Sequence, residues 1–153
     1  RVTEVNSKEL IRWLRLKERV DLNDLHNYSF SLQMKNETHQ INETQIAEVI
    51  SEVNVINRIE DGLNLLGTLY YQGFDKIILH EKNITPDFFD LKSGIAGEIL
   101  QKFSNYRVRL AIVGDFTKYG SRSLKDFIVE SNKRRDINFV STSAEAIKIL
   151  SAT

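Results

Sequence analysis

Residues 108–128 read VRLAIVGDFTKYGSRSLKDFI, and this stretch decides the fold. Val108 to Val113 is an apolar run of strand length, closed by Gly114-Asp115. A polar loop follows to Ser123, which with Asp126 opens a helix carrying Leu124, Phe127 and Ile128 on one side. Downstream, Ile137 to Val140 is a last strand, and Thr142 with Glu145 caps a final helix through Ile147 and Leu150. Upstream, Lys76-Ile77-Ile78-Leu79-His80 suits a strand buried on both faces. Before it, Asn57 with Glu60 predicts a helix bearing Leu63, Leu66 and Tyr70 and stopped by Gly73. Between them, Thr85-Pro86-Asp87 signals a short turn, and Ser93-Gly94 opens a helix with Ile95, Ile99, Leu100 and Phe103 on its apolar face. Gln45 to Val53 reads as a strand, with Val55 and Ile56 as a candidate hairpin return. Alternating strands and helices with short connections predict a mostly parallel sheet of four to five strands covered by helices, with the 108–113 strand near its middle.

The N-terminal third reads differently. Residues 6–20 predict a helix, with Asn6 as cap, Glu9 as its reciprocal partner and Leu10, Ile11, Trp13 and Leu14 as the stripe. Residues 21–44 are polar and aperiodic, as a linker is. The expected division is residues 1–41 as a helix plus polar linker and residues 42–153 as a single α/β domain. The only methionine is Met34. Either it is the native start and residues 1–33 are added or upstream sequence, or those residues are a native helical arm; the first reading is preferred.

The composition fits one soluble domain. Of 153 residues, 41% are hydrophobic and 27% charged, enough for a packed core and too few charges for disorder. Lys plus Arg and Asp plus Glu are 21 each, so net charge gives no pull toward nucleic acid or an acidic membrane. With no cysteine, disulfides, thiolate metal sites and cysteine nucleophiles are excluded. No signal peptide precedes Met34, so a cytoplasmic chain is expected.

Chemistry is sparse. Open α/β sheets bind ligands where loops meet helix starts at the carboxyl ends of the strands. There Asp115, Lys118, Ser121 and Ser123 are candidates to face a small anion, with Asp90 and Glu130 nearby, and Glu98 and Asn132 complete the candidate ligand or partner residues. The competing role is local, with Asp115 and Ser123 capping a turn and a helix. Asp90, Lys92 and Ser93 form a second candidate surface: a serine at a helix start offers a phosphorylation point, and is equally what a plain cap looks like. Gly94 and Gly97 suggest a close helix approach. Glu98 and Lys102, one turn apart, read as an exposed ion pair. His26, His39 and His80 show no metal-ligand spacing, so neither catalytic residues nor a metal nor a cofactor is assigned.

The string from Asp87 to Asn132 resembles a bacterial family of small proteins catalogued as domain of unknown function 4180. Its pieces stand here as Asp87-Phe88-Phe89-Asp90-Leu91, Gly97 to Phe103, Asn105-Tyr106, Gly114-Asp115-Phe116, Ser123 to Phe127 and Glu130-Ser131-Asn132. The likeness extends more loosely from Ile46 to Leu150. The order of elements is also similar to the STAS fold of anti-sigma-factor antagonists. In those regulators a partner kinase phosphorylates a serine in an Asp-x-Ser-Gly turn at a helix start. Asp90 and Ser93-Gly94 resemble that turn with one extra residue between aspartate and serine. The resemblance implies a single STAS-like domain and a non-enzymatic regulatory or protein-interaction role, with another protein or a second copy as partner. The alternative is a small-molecule or nucleotide binder, including an enzyme, working from the carboxyl-end loops.

Overall fold

The structure, a computed structural model, describes residues 2–4 and 34–152. The helix expected over 6–20 lies outside the described residues. In chain order the elements are β1 (Val2–Glu4), β2 (Lys35–Ile41), β3 (Thr44–Ile50), α1 (Ile59–Tyr71), β4 (Lys76–His80), α2 (Ile95–Asn105), β5 (Arg109–Val113), α3 (Arg122–Lys133), β6 (Ile137–Val140) and α4 (Ser143–Ser151). From β3 onward the expected alternation holds at every step. The strands form one sheet in the order β1-β2-β3-β4-β5-β6. The two pairings from β1 to β3 are antiparallel and the three from β3 to β6 are parallel.

Three expectations are corrected. Residues 35–41, read as linker, are β2, so the sheet reaches back beyond residue 42. The sequence KNETHQI hides this strand, because polar side chains occupy positions that an apolar period would mark. The hairpin joins β2 to β3 through Asn42-Glu43, with Asn42 in the left-handed region at φ 54°. Val55 and Ile56 do not return along β3. Their N–H groups donate to the Asn83 carbonyl at 2.7 and 3.2 Å, and Ile56 bridges Ile84. Finally, β5 lies next to the edge strand β6, and β3 and β4 hold the centre.

Helix starts follow local chemistry with small shifts. Asp61, not Glu60, secures the start of α1: its Oδ2 accepts the N–H groups of Asn57 and Arg58 at 2.9 and 3.0 Å. Gly73, at φ 95°, ends the same helix as expected. The close helix approach is at Gly62, where a Cβ would meet Ile99 of α2 at 2.5 Å; Gly94 and Gly97 have open space instead. Among the described residues, no helix is long and apolar enough to cross a membrane.

Alternation along the strands divides the core. On one face Ile77, Leu79, Leu110 and Ile112 pack with Leu65, Leu69, Ile99, Phe103 and Leu124 from α1, α2 and α3, and Met34 joins them. On the other face Ile46, Ile78, Ala111, Val113 and Val140 meet Ala146 and Leu150 of α4, with half-buried Ile147 and Ile149 beside them. Arg109 fixes the far end of α4 by donating to the carbonyls of Ile149, Leu150 and Ala152. The second face has less apolar cover, and its β2–β3 end is where polar side chains collect.

Candidate functional site

At the carboxyl end of β5, Asp115 is taken up locally. Its Oδ1 accepts the Thr117 N–H at 3.1 Å and the Thr117 hydroxyl at 2.6 Å, and these bonds hold its carboxyl below the usual aspartate range. Lys118 Nζ pairs with Glu81 at 2.7 Å, and Tyr119 donates to the same carboxylate at 3.1 Å. Burial first, then the hydrogen bond and charge of Glu81, push the Tyr119 phenol up to about 12. Ser121 caps α3 by accepting the Leu124 N–H at 3.2 Å, so the cap is Ser121 and not Ser123, which is exposed in the first turn. These residues do not converge. Asp115 lines an open cleft of about 700 Å³ with Lys125, Ile128, Phe139 and Ser141, and Lys118, Ser121 and Ser123 stand outside it.

Two more candidates have structural work. Glu130 pairs with Lys133 at 3.1 Å on the surface of α3. Asn132 accepts the Phe139 N–H at 2.7 Å and donates to the Phe139 carbonyl at 3.2 Å. It thereby closes the free side of edge strand β6, which would otherwise offer backbone groups for pairing. Glu98 and Lys102 are both exposed, and among the described residues no ion pair joins them.

The turn before α2 is built on buried Phe88 and Phe89, with Asp87, Asp90, Lys92 and Ser93 exposed above them. Asp90 Oδ1 accepts the Lys92 N–H at 3.2 Å. Ser93 Oγ donates to the Asp87 carbonyl at 2.6 Å and accepts the Ile95 N–H at 3.3 Å. Gly94, left-handed at φ 80°, is the residue at the cap position itself. The serine is therefore pinned, outward-facing and on the first free amides of an 11-residue helix.

A further cluster forms on the α4 side of the sheet. Glu48, buried on β3, accepts His39 Nε2 at 2.7 Å through Oε1. Its Oε2 accepts His80 Nε2 at 2.6 Å and the Ser143 hydroxyl at 3.0 Å. A carboxylate only accepts, so each imidazole presents an N–H. Burial opposes ionisation here, and the bonds from His39, His80 and Ser143 outweigh it, holding Glu48 below its usual range. One ligand atom from each of Glu37, His39 and Glu48 lies within 4.8 Å of the others. Spacing along the chain hid this group, since His39 and His80 are far apart in sequence and meet only across β2, β3 and β4. The visible signal was Glu48 itself, a charge within the apolar strand Ile46 to Val49.

A family model described as Domain of unknown function (DUF4180) matches residues 41–150. The chain belongs to that family. The matched span of this DUF4180 chain runs from the end of β2 through α4, so it contains Glu48, His80, Ser93 and Ser143 but neither Glu37 nor His39. Among curated proteins, none matches the chain. A solved structure similar to it is that of a protein from Thermotoga maritima described as a candidate anti-sigma factor antagonist, at 17% identity. The similarity covers 76% of this chain and 95% of that one, with a TM-score of 0.41.

Proposed function

We propose that this DUF4180 domain is a non-enzymatic regulatory module that binds another protein through the turn at the start of α2. The observation that carries the reading is Ser93, exposed yet held from both sides by the Asp87 carbonyl and the Ile95 N–H. A side chain presented in one fixed geometry costs a partner little ordering entropy on binding. The turn also resembles the Asp-x-Ser-Gly turn of the STAS regulators. A phosphate on Ser93 removes the hydroxyl donor, so the 2.6 Å bond to Asp87 is lost. It adds nearly two negative charges beside Asp87 and Asp90, while gaining the helix-start amides and Lys92. Charge and shape of the turn change together, as a binding switch requires.

The test uses the full chain, Ser93→Ala and Ser93→Asp against a partner captured from the native host and then purified. Ser93→Ala should bind within threefold of the wild type, and Ser93→Asp should change the affinity at least tenfold. Equal affinities for all three chains, with no phosphate on Ser93 in protein from that host, defeat the proposal. The rival reading, a small-molecule binder, draws on the cleft beside Asp115. A thermal-shift screen of nucleotides and sugar phosphates tests it, since a ligand at a hundred times its Kd adds about 2.7 kcal/mol. A shift that Asp115→Ala abolishes would favour the rival.

A further inference from the structure

We propose that Glu37, His39 and Glu48 form a binding site for a divalent transition-metal ion of the zinc class. The hairpin register makes Glu37 the direct partner of Glu48, and His39 stands two residues along β2 on the same sheet face. Two carboxylates facing each other across an antiparallel pair repel, and a cation between them removes that cost. The donor set is imidazole nitrogen with carboxylate oxygen, which suits zinc and its first-row neighbours; all-oxygen sites suit magnesium or calcium.

The geometry is close to what such an ion needs. Zinc ligands at about 2.1 Å in a tetrahedron lie roughly 3.4 Å apart. The three ligand atoms already lie within 4.8 Å of one another, with His39 Nε2 and Glu48 Oε1 at 2.7 Å. An ion fits between the three when that one contact opens by under an ångström, roughly, and the Glu37 carboxylate closes in from within 4.8 Å. The imidazole binds through Nε2 in the neutral tautomer that carries its one proton on Nδ1, so no net proton is lost from a neutral ring. The other oxygen of Glu48 is held by His80 and Ser143, so the carboxylate keeps its aim toward His39 when the metal enters. Glu37 and His39 are half-buried on β2, which leaves the ion a way in. Three protein ligands leave a fourth position open to water or a ligand.

The experiment is calorimetric titration of the tag-free full chain with zinc chloride, repeated with Glu37→Gln, His39→Gln and Glu48→Gln. A parallel titration with cobalt chloride reads the visible absorption of a tetrahedral ion. The proposal expects one zinc per chain, and affinity at least tenfold weaker in Glu37→Gln and in His39→Gln. Glu43→Gln, in the exposed hairpin turn, should bind as the wild type does. Should Glu48→Gln fail to fold by circular dichroism, the two β2 variants decide alone. No saturable zinc binding overturns the site. So does stoichiometric binding whose affinity neither Glu37→Gln nor His39→Gln changes, because the metal then sits elsewhere.

Discussion

Glu48 and Glu81 are both buried carboxylates, yet they are held in different ways. Glu48 takes its donors from β2, β4 and the start of α4, at sequence separations of 9, 32 and 95. Glu81 takes both of its side-chain donors from adjacent residues of one loop, Lys118 and Tyr119. The first carboxylate joins three elements of the sheet's second face, and the second pins a single loop over the carboxyl ends. A contact that spans elements resists global unfolding, whereas one that pins a loop mainly sets the order of that loop.

The contrast is broken or sharpened by substitution. Glu48→Ala should cost about 2–3 kcal/mol in urea unfolding, because three donors lose their acceptor while the imidazoles keep some access to water. A loss under about 1 kcal/mol would make the two glutamates equivalent. Gly114→Ala comes next. Its Cβ would run into the Glu81 side chain, and overpacking of this sort costs about 1–3 kcal/mol, measured by thermal unfolding.

Glu81→Gln should cost less, about 0.5–1 kcal/mol, since half-exposed Lys118 regains water. Its clearer readout is alkaline. The phenol of Tyr119 is raised from 10.0 to about 12, so the stability tied to it is whole below pH 10 and lost as pH rises toward 12. Tyr119→Phe should remove that alkaline loss in urea unfolding followed across the same range. In Glu81→Gln the phenolate absorbance should appear at lower pH than in the wild type; an unmoved titration would mean Glu81 does not govern the loop. The smallest effect separates the two serines of the same region. Ser121→Ala should cost about 1 kcal/mol as a lost cap, and Ser123→Ala under about 0.5 kcal/mol.

The alternation from Thr44 to Ser151 could be read before any coordinates, because apolar runs, caps and stops act within a few residues of themselves. The start and stop of α1 show the limits of such reading. Gly73 ends the helix where its backbone freedom is needed, whereas the choice of Asp61 over Glu60 rests on which carboxylate the local geometry turns toward the free N–H groups. The β2 strand lacks such a local mark for another reason. Half of an antiparallel pair carries no period of its own when its face meets polar groups, and only its partner β3 identifies it.

Candidate site residues divide along the same line. Ser93 was legible because a serine beside glycine at a helix start is a local pattern, and the structure adds the Asp87 bond that holds it outward. Asp115, Ser121 and Asn132 were legible as polar positions, but their hydrogen bonds run to the backbone nearby or to the edge of β6 rather than toward a common point. By itself the sequence determined the class of fold, the order of its elements from β3 onward and the exposed turn before α2, all of which follow from short-range periodicity and capping. Only the tertiary structure decided that Glu37, His39, Glu48, His80 and Ser143 are neighbours. Their meeting depends on strand register and on a helix crossing the second sheet face, and neither leaves a mark in the spacing of residues along the chain.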